Sequence, residues 1–335
     1  MVSVKDIAAR CGVSMATVSK ALNGRVDISE ETRRHICDAA AEMGYMPNSA
    51  ARSLKTKRTN SLGVLFVDET HSGLRHEYFS SILESFKVVA ERFGYDITFI
   101  TNRIGERTSS YLEHCRYRNV DGVVIATVDF TDPQVIQLVE SDIPIVTIDY
   151  SFNNRTSIIS NNIQGMRDLT RYILNQGHRQ IAFIHGERTA VTENRLASFH
   201  KTCMEYGVDV PESYVREARF HDPEMTAART RELLQLPVRP TCILFPDDIS
   251  YVGGMNVIQE AGLSIPGDIS VAGYDGVFLS QVLMPKLTTL QQDSDMLGRT
   301  AAQRLVDLIE HPKTALPEQI IVQGRLIEGA SVRKL

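Results

Sequence analysis

The chain has 335 residues, which is more than one ordinary hydrophobic core requires and suits two or three domains. Apolar residues make up 43% of it and charged residues 23%, the composition of a globular protein, and the net charge of −5 argues by itself against a nucleic-acid partner. The N-terminus has no apolar signal core, no apolar run approaches the roughly 20 residues of a membrane helix, and the five cysteines have irregular spacing, so we expect a cytoplasmic protein with reduced thiols and no membrane partner.

The charge is distributed unevenly along the chain. Residues 1–60 carry ten Lys and Arg side chains against six Asp and Glu, a net charge of +4, so the remaining residues carry −9. A basic head on an acidic body is typical of a nucleic-acid-binding module joined to a different domain. On charge alone, a solvated basic surface without a partner is the alternative.

Three helix patterns follow one another in residues 3–45. Ser3 and Asp6 have the spacing of a capping box, and Gly12 ends the first helix. Ser14 then caps a second helix after only two residues, and a third helix follows. Two short helices joined by a tight glycine turn, followed by a third, predict a helix-turn-helix domain.

The second helix, in the stretch "VSMATVSK", has small side chains on its predicted outer face. A recognition helix must approach base edges closely, and small residues near its N-terminus permit this. Met15 suits a thymine methyl group and Lys20 suits guanine acceptors, whereas the hydroxyls of Ser14 and Thr17 suit phosphates. The alternative is a three-helix bundle that packs on another domain.

A basic segment, "MPNSAARSLKTKRTNS", follows the third helix. Pro47 breaks that helix, and the next helical stretch is too short to be stable alone in water. The pattern suits a linker that becomes helical on DNA, where an exposed Leu54 would insert between base steps in the minor groove. A polar linker with Leu54 against the next domain is equally compatible.

The order and spacing of these segments over residues 4–64 resemble the N-terminus of the lactose-repressor (LacI/GalR) family of transcription factors, as in "VKDIAARCGVSMATVSKALNG" and "ISEETRRHICDAAAEMGY". The resemblance implies that Met15, Ala16 and Lys20 read the major groove and that a hinge helix places Leu54 in the minor groove. Asn23 and Tyr45 fall at positions that touch phosphates or support the head. The candidate DNA-binding residues are Ser14, Met15, Ala16, Thr17, Lys20, Asn23, Tyr45, Arg52, Leu54 and Lys55.

From residue 62 onward, apolar strands alternate with helical segments. The series begins with "LGVLFVD" and a helix over 77–93, and it restarts after "SIISNN". Such alternation is typical of a parallel sheet covered on both faces, and the restart predicts two doubly wound lobes. Ligands of such sheets bind at the carboxyl ends of the strands, so we expect a hinged cleft between the lobes.

The body resembles the same family, as in "GMRDLTRYILNQGHRQIAFIHG" and "PKLTTLQQDSDMLGRTAAQRL", which implies a fold like that of periplasmic sugar-binding proteins. The expected fold is an all-α helix-turn-helix head with a hinge helix, joined to an α/β body of two doubly wound parallel-sheet lobes. The expected domains are a helix-turn-helix domain at 1–46, a hinge helix or linker at 47–60, and an effector-binding and dimerisation domain at 61–335, with an N-lobe of about 61–160 and 291–318 and a C-lobe of about 161–290 and 319–335.

Polar residues at the predicted strand ends indicate the site within this cleft. Asp68, Asp149 and Asp275 each follow a strand, and converging carboxylates suit a ligand with several hydroxyls. Arg195 adds donors, and rings such as Tyr150 can stack on a sugar face. From these residues and the resemblance, the candidate effector-binding residues are Tyr78, Phe79, Asp149, Arg195, Phe220, Asp247, Asp248 and Asp275.

Each of these residues has a structural alternative. An aspartate at a strand end often caps the next segment, a phenylalanine often belongs to the core, and a place on an ordinary helix surface is the alternative for Arg195. The chain also has Ser160–Asn161 where the family often has Asp-Asn, so it lacks one carboxylate near this crossing.

The sequence has no dinucleotide fingerprint, P-loop, G-x-S-x-G or H-E-x-x-H pattern, so we expect no enzyme activity, no cofactor and no metal. The prediction is a homodimeric regulator, a repressor, that binds a pseudo-palindromic operator and is controlled by a small molecule, with a sugar or sugar derivative as first choice. The main alternative is a cytoplasmic sugar-binding protein whose head binds a protein partner. A sugar-modifying enzyme is a weaker one.

Overall fold

The computed structural model describes residues 2–22, 24, 27–46, 58–67 and 73–335. Two compact units divide the chain, Met1–Thr59 and Asn60–Leu335, which we call the head and the body. Residues 47–57 of the predicted hinge helix or linker lie outside the described residues, as do the candidate residues Asn23, Arg52, Leu54 and Lys55 and the strand-end residue Asp68. No described helix is both long enough and apolar enough to cross a membrane.

The described part of the head consists of three helices, α1 (Val4–Cys11), α2 (Met15–Leu22) and α3 (Glu30–Glu42). Ser3 and Asp6 form the predicted capping box at the start of α1. Gly12 then adopts φ +65°, the left-handed conformation that turns the chain from α1 into α2. The three helices share a small core that includes Ile7, Val18, Ala21, Ile36 and Ala40.

The body contains two six-stranded sheets and nine described helices. The strands are β1 (Ser61–Phe66), β2 (Asp96–Ile100), β3 (Arg103–Ile104), β4 (Arg107–Thr108), β5 (Gly122–Thr127), β6 (Ile145–Ile148), β7 (Thr156–Ser160), β8 (Ile181–His185), β9 (Val215–Glu217), β10 (Cys242–Leu244), β11 (Ser270–Asp275), β12 (Thr288–Gln291), β13 (Gln319–Val322) and β14 (Arg325–Ile327). The helices are α4 (Glu77–Arg92), α5 (Tyr111–Arg118), α6 (Pro133–Val139), α7 (Asn162–Asn175), α8 (Ala190–Glu205), α9 (Pro223–Leu234), α10 (Ser250–Glu260), α11 (Phe278–Val282) and α12 (Ser294–Glu310).

Both sheets are doubly wound. The first has the order β13-β7-β6-β5-β1-β2 and is parallel throughout, and the second has the order β14-β12-β11-β10-β8-β9. In the second sheet only β14 is antiparallel, to β12, an edge pairing that the alternation of strands and helices does not predict. The strand order reverses between β1 and β5 in the first sheet and between β8 and β10 in the second, which are the switch points where such sheets bind ligands.

Apolar clusters on both faces of each sheet form the cores of the two lobes. In the N-lobe, α12 packs along α4 and against β5 and β6. This arrangement holds the first turn of α4 at the carboxyl ends of the strands, where Tyr78 and Phe79 lie. Helix α8 begins at Ala190, where the hydroxyl of Thr189 caps it by accepting a hydrogen bond from the backbone of Thr192.

The chain crosses between the lobes three times. The third crossing follows Val322 and not residue 318, near which it is expected from the sequence. Strand β13 pairs in parallel with β7 and so belongs to the N-lobe, and only the chain after it returns to the C-lobe as β14. The N-lobe therefore includes residues 319–322, which were expected in the C-lobe.

Candidate functional site

A cavity of about 480 Å³ opens between the two lobes of the body. Its walls are the segments that follow β1, β5 and β6 in the N-lobe and β8, β9 and β11 in the C-lobe. Since parallel strands present their carboxyl ends at one edge, the doubly wound sheets bring these segments together across the cleft. The volume is in the range of sites that bind small organic ligands.

The structure brings six of the eight candidate effector-binding residues to the cavity wall. They are Tyr78, Phe79, Asp149, Arg195, Phe220 and Asp275. The other two candidates, Asp247 and Asp248, do not line it.

Arg195 is the best-anchored charged residue of the site. It is buried on α8, and its Nε donates to Asn162 Oδ1 at 2.8 Å and its Nη1 to the carbonyl of Pro246 at 3.1 Å. The guanidinium carbon lies 3.5 Å from the centroid of the Tyr274 ring. These contacts fix the plane of the guanidinium, as cation–π stacking and bidentate hydrogen bonding do generally.

Asp275 lies opposite this guanidinium. Its Oδ1 is 4.0 Å from Arg195 Nη2, too far for a direct hydrogen bond, and accepts one from Gln292 Nε2 at 2.6 Å. Burial raises the pKa of Asp275 to about 6, although the charge of Arg195 opposes the shift. At neutral pH this carboxylate is ionised and offers acceptors beside the donors of Arg195.

Asp149 supplies a second carboxylate, from the N-lobe. Its Oδ1 accepts a hydrogen bond from the backbone of Ser160 at 2.7 Å, and its Oδ2 accepts one from the hydroxyl of Tyr78 at 2.9 Å. Burial raises the pKa of Asp149, and these hydrogen bonds oppose the shift. The pKa of Tyr78 is raised well above its usual value by burial and by Asp149, so Tyr78 stays protonated and donates.

Backbone strain is concentrated at this cavity. Among the described residues, six that are not glycine have a positive φ, and three of them line the cavity: Asp149, His221 and Asp275. Such conformations cost about 1–3 kcal/mol each and persist where the surrounding structure imposes them, often at ligand sites.

The structure explains why Asp247 and Asp248 do not reach the cavity. The carboxylate of Asp247 accepts hydrogen bonds from the backbones of His221 and Ser250, among others, and so caps the start of α10. Asp248 accepts from the backbone of Val277 and the hydroxyl of Thr289, and burial raises its pKa well above the usual value. Both carboxylates accept their hydrogen bonds from groups inside the C-lobe. Asp247 and Asp248 therefore have structural roles, as the alternative for strand-end aspartates allows.

Several lining residues were not among the candidates. His76 of the N-lobe and His221 of the C-lobe stack across the cleft with ring centroids 3.5 Å apart. Gln292 follows β12 and positions Asp275, and Phe130 follows β5. The aspartates were indicated because residues just after the carboxyl ends of parallel strands line the cleft, which we call the strand-end rule. The same rule applies to Gln292 and Phe130. Nothing in the sequence predicts that the two histidines stack on each other.

The head presents the predicted recognition surface. Ser14, Met15, Ala16 and Lys20 are exposed, Thr17 is half-buried, and the hydroxyl of Ser14 caps α2 by accepting from the backbone of Thr17 at 3.1 Å. The side chain of Lys20 pairs with Asp27 at 2.6 Å. Tyr45 is half-buried and packs on the head core.

No group of three or more His, Cys, Asp and Glu side chains with the arrangement of a metal site occurs in the part of the chain that the structure describes. Buried thiols include Cys115, Cys203 and Cys242, whose pKa values are raised by burial.

Comparison with protein families finds one match in the head and one in the C-terminal part of the body. Residues 3–48 match the model of the bacterial regulatory proteins of the lacI family, and residues 170–332 match a periplasmic binding protein-like domain. The HTH-type transcriptional repressor PurR of Escherichia coli O139:H28 is 34% identical over 339 aligned positions, which cover 99% of this chain and 97% of PurR.

Solved structures show the same architecture. The Lac repressor dimer bound to operator and the anti-inducer ONPF is similar with a TM-score of 0.80 and 27% identity, over 99% of each chain. A complex of the transcriptional regulator CelR with cellobiose is similar with a TM-score of 0.73 and 25% identity, over 99% of this chain and 100% of CelR. With a matching head, a matching body and a relative of this identity over nearly its whole length, the chain belongs to the lacI family of bacterial regulatory proteins and is a DNA-binding transcriptional regulator with a small-molecule effector.

Proposed function

We propose that the effector is a sugar or sugar derivative bound in the cavity between the lobes. The observation that carries this proposal is the pair of buried carboxylates, Asp149 and Asp275, which approach from opposite lobes and flank the fixed guanidinium of Arg195. A ligand with several hydroxyl groups donates to the carboxylates and accepts from the guanidinium at the same time. The rings of Phe79 and Phe220 offer apolar faces for the C–H side of such a ligand.

The charge of the cavity favours a neutral ligand. Four carboxylates line it, from Asp129, Asp149, Glu187 and Asp275, against two guanidinium groups, from Arg188 and Arg195. An anionic ligand such as a sugar phosphate would meet a net negative wall, and a buried unpaired charge is costly. We therefore expect neutral sugars or glycosides to bind more tightly than sugar phosphates.

The test is a thermal-shift screen of the purified protein against pentoses, hexoses, disaccharides, glycosides, sugar phosphates and nucleobases. We expect stabilisation by a neutral sugar or glycoside, since a ligand that binds only the folded state at a hundred times its dissociation constant stabilises by about 2.7 kcal/mol. The same screen on Asp149→Asn, which keeps the side-chain shape and removes the charge, should give a smaller shift. Stabilisation by a nucleobase alone, or by sugar phosphates in preference to neutral sugars, contradicts the proposal.

For DNA, we propose that Ser14, Met15, Ala16, Thr17 and Lys20 of the exposed α2 surface contact the operator. In this proposal a homodimer binds a pseudo-palindromic site, since a single head offers little surface for affinity and specificity. The remaining proposed contacts are Asn23, Tyr45, Arg52, Leu54 and Lys55.

The regulator acts in this proposal as a repressor in the cytoplasm, where its DNA is, and it binds its effector without converting it. The donors and acceptors around Asp149 and Asp275 are held by neighbouring side chains and backbone, which suits recognition of a ligand. Recovery of the effector unchanged after prolonged incubation with the protein is the expected result.

A further inference from the structure

A pair of stacked aromatic rings lines the cavity apart from the charged residues described above. The rings of Phe130 and Tyr150 have centroids 4.3 Å apart and planes only 5° from parallel. Phe130 follows β5 and Tyr150 follows β6, which are neighbouring parallel strands, so the topology brings the two rings to the same edge of the sheet. We call Phe130 and Tyr150 the aromatic platform.

The platform is held in place before any ligand binds. The Oδ1 of Asp129 accepts hydrogen bonds from both the backbone and the hydroxyl of Thr131, at 2.8 and 2.6 Å, and so fixes the turn that carries Phe130. The hydroxyl of Thr147 donates to the carbonyl of Tyr150. A preformed aromatic surface loses little conformational entropy when a ligand packs on it.

The platform lies nearer the solvent than the most deeply buried residues of the cavity. Tyr78, Arg195 and Gln292 are buried, Phe130 and Tyr150 are half-buried, and Asp129 and Thr131, on either side of Phe130, are exposed. Asp149 and Tyr150 are adjacent in the chain, about 3.8 Å apart at their Cα atoms. Both residues line the same cavity, so a ligand that hydrogen-bonds to Asp149 occupies the cavity that the platform also lines.

We propose that the effector carries a second ring, joined to the sugar that the inner residues bind, and that this ring packs a flat face on the aromatic platform. This inference rests on the proposed function. The chemistry recognised is a ring with a flat apolar face, which a second pyranose and an aromatic aglycone both supply. The effector class is thus a disaccharide or an aryl glycoside, and a monosaccharide leaves Phe130 and Tyr150 uncovered.

The test compares ligands that differ only in the second ring, by isothermal titration of the full-length protein. The panel is the methyl glycoside, the 4-nitrophenyl glycoside and a disaccharide of glucose, galactose, mannose and xylose, in both anomeric forms. For the sugar that binds, we expect a two-ring ligand to bind about tenfold more tightly than the methyl glycoside. Preference for the disaccharide or for the nitrophenyl glycoside identifies which kind of ring the platform takes.

Variants separate the platform from the inner site. Phe130→Leu keeps an apolar side chain but removes the ring, and it should bring two-ring and one-ring affinities within about twofold of each other. Phe152→Leu is the matched control, because Phe152 contacts Tyr150 with centroids 4.8 Å apart but does not line the cavity. It should keep the tenfold preference.

Two results overturn the inference while leaving the proposed function intact: equal binding of one-ring and two-ring ligands, or an undiminished preference in Phe130→Leu. If no member of the panel binds to protein that melts cooperatively, the sugar assignment itself is wrong and the inference fails with it.

Discussion

At the scale of single residues, the 4.0 Å separation between Arg195 Nη2 and Asp275 Oδ1 is the most informative distance in the site. The two charges are close enough to stabilise each other and too far apart to satisfy each other by a hydrogen bond. A ligand hydroxyl that donates to Asp275 and accepts from Arg195 gives each of the two charged groups a hydrogen-bond partner. Because Gln292 and Asn162 fix the two side chains from behind, neither has to reorganise when the ligand arrives.

The raised pKa of Asp275 gives this pair a pH dependence. The carboxylate protonates as the pH falls through about 6, which removes an acceptor that the ligand hydroxyl uses. Sugar affinity should therefore be constant from pH 8 to 7 and fall about tenfold between pH 7 and 5, when binding requires the ionised form. Isothermal titration across this range measures it.

Asp275→Asn is the control for this prediction. It should bind the sugar more weakly than the wild type at pH 7 and show no step near pH 6, because the amide does not titrate. A wild-type affinity that is the same at pH 5 and pH 7 contradicts the assignment. So does a step that survives in Asp275→Asn, since it would belong to a group other than Asp275.

The strand-end rule found Asp149 and Asp275 from the sequence because the carboxyl ends of parallel strands meet at the cleft whatever the details of packing. The same rule also selected Asp247, which caps the start of α10, and Asp248, which holds the segment after β11 through the backbone of Val277. Whether a carboxylate turns toward the cavity or toward a nearby backbone N–H depends on local dihedral angles and on residues as distant as Thr289. A single sequence does not carry that information.

At the scale of elements, the close packing of α4 and α12 positions one wall of the cavity. Gly298 on α12 lies against the backbone of α4, and a Cβ atom at that position would be only 2.1 Å from the carbonyl oxygen of Ile82. The contact leaves no room for a side chain. It holds α4 in place. Because the first turn of α4 carries Tyr78 and Phe79, core packing along this helix positions two residues of the effector site.

Gly298→Ala should therefore destabilise the body. The added methyl group forces the two helices apart, and overpacking of this kind costs about 1–3 kcal/mol of unfolding free energy. Urea unfolding followed by circular dichroism measures the loss. Gln303→Ala, on the exposed face of the same helix, is the matched control and should stay within about 0.5 kcal/mol of the wild type. Equal stability of Gly298→Ala and the wild type would show that the helices separate at no cost.

Helices and buried strands of the body follow their sequence patterns closely, whereas the last crossing does not. The segment "QIIV" of β13 is a short apolar strand that suits the free edge of either sheet. Its partner is β7, more than 150 residues earlier in the chain, so the choice is made by tertiary contacts that local pattern does not encode. The antiparallel pairing of β14 was missed for the same reason.

At the scale of the whole molecule, contacts between the lobes gather around the start of α4. His76 stacks on His221 across the cleft, and Glu77 Oε1 accepts a hydrogen bond from the backbone of Phe278 at 2.6 Å. Asp149 of one lobe and Arg195 of the other line the same cavity. A ligand that bridges the lobes favours one arrangement of them over others, and only such a difference in affinity can shift the equilibrium.

The central claim, that a ligand in the cleft controls DNA binding, is tested most directly by one measurement. This is the affinity of the full-length protein for the palindromic DNA site that it selects from a random-sequence pool, with and without the sugar that gives the largest thermal shift. We expect the sugar to change the DNA affinity of the wild type about 5- to 150-fold. For Arg195→Ala, whose head is intact, we expect unchanged DNA affinity and no response to the sugar. A wild-type DNA affinity that is the same with and without bound sugar, or a response retained in Arg195→Ala, would contradict control of DNA binding from the cleft.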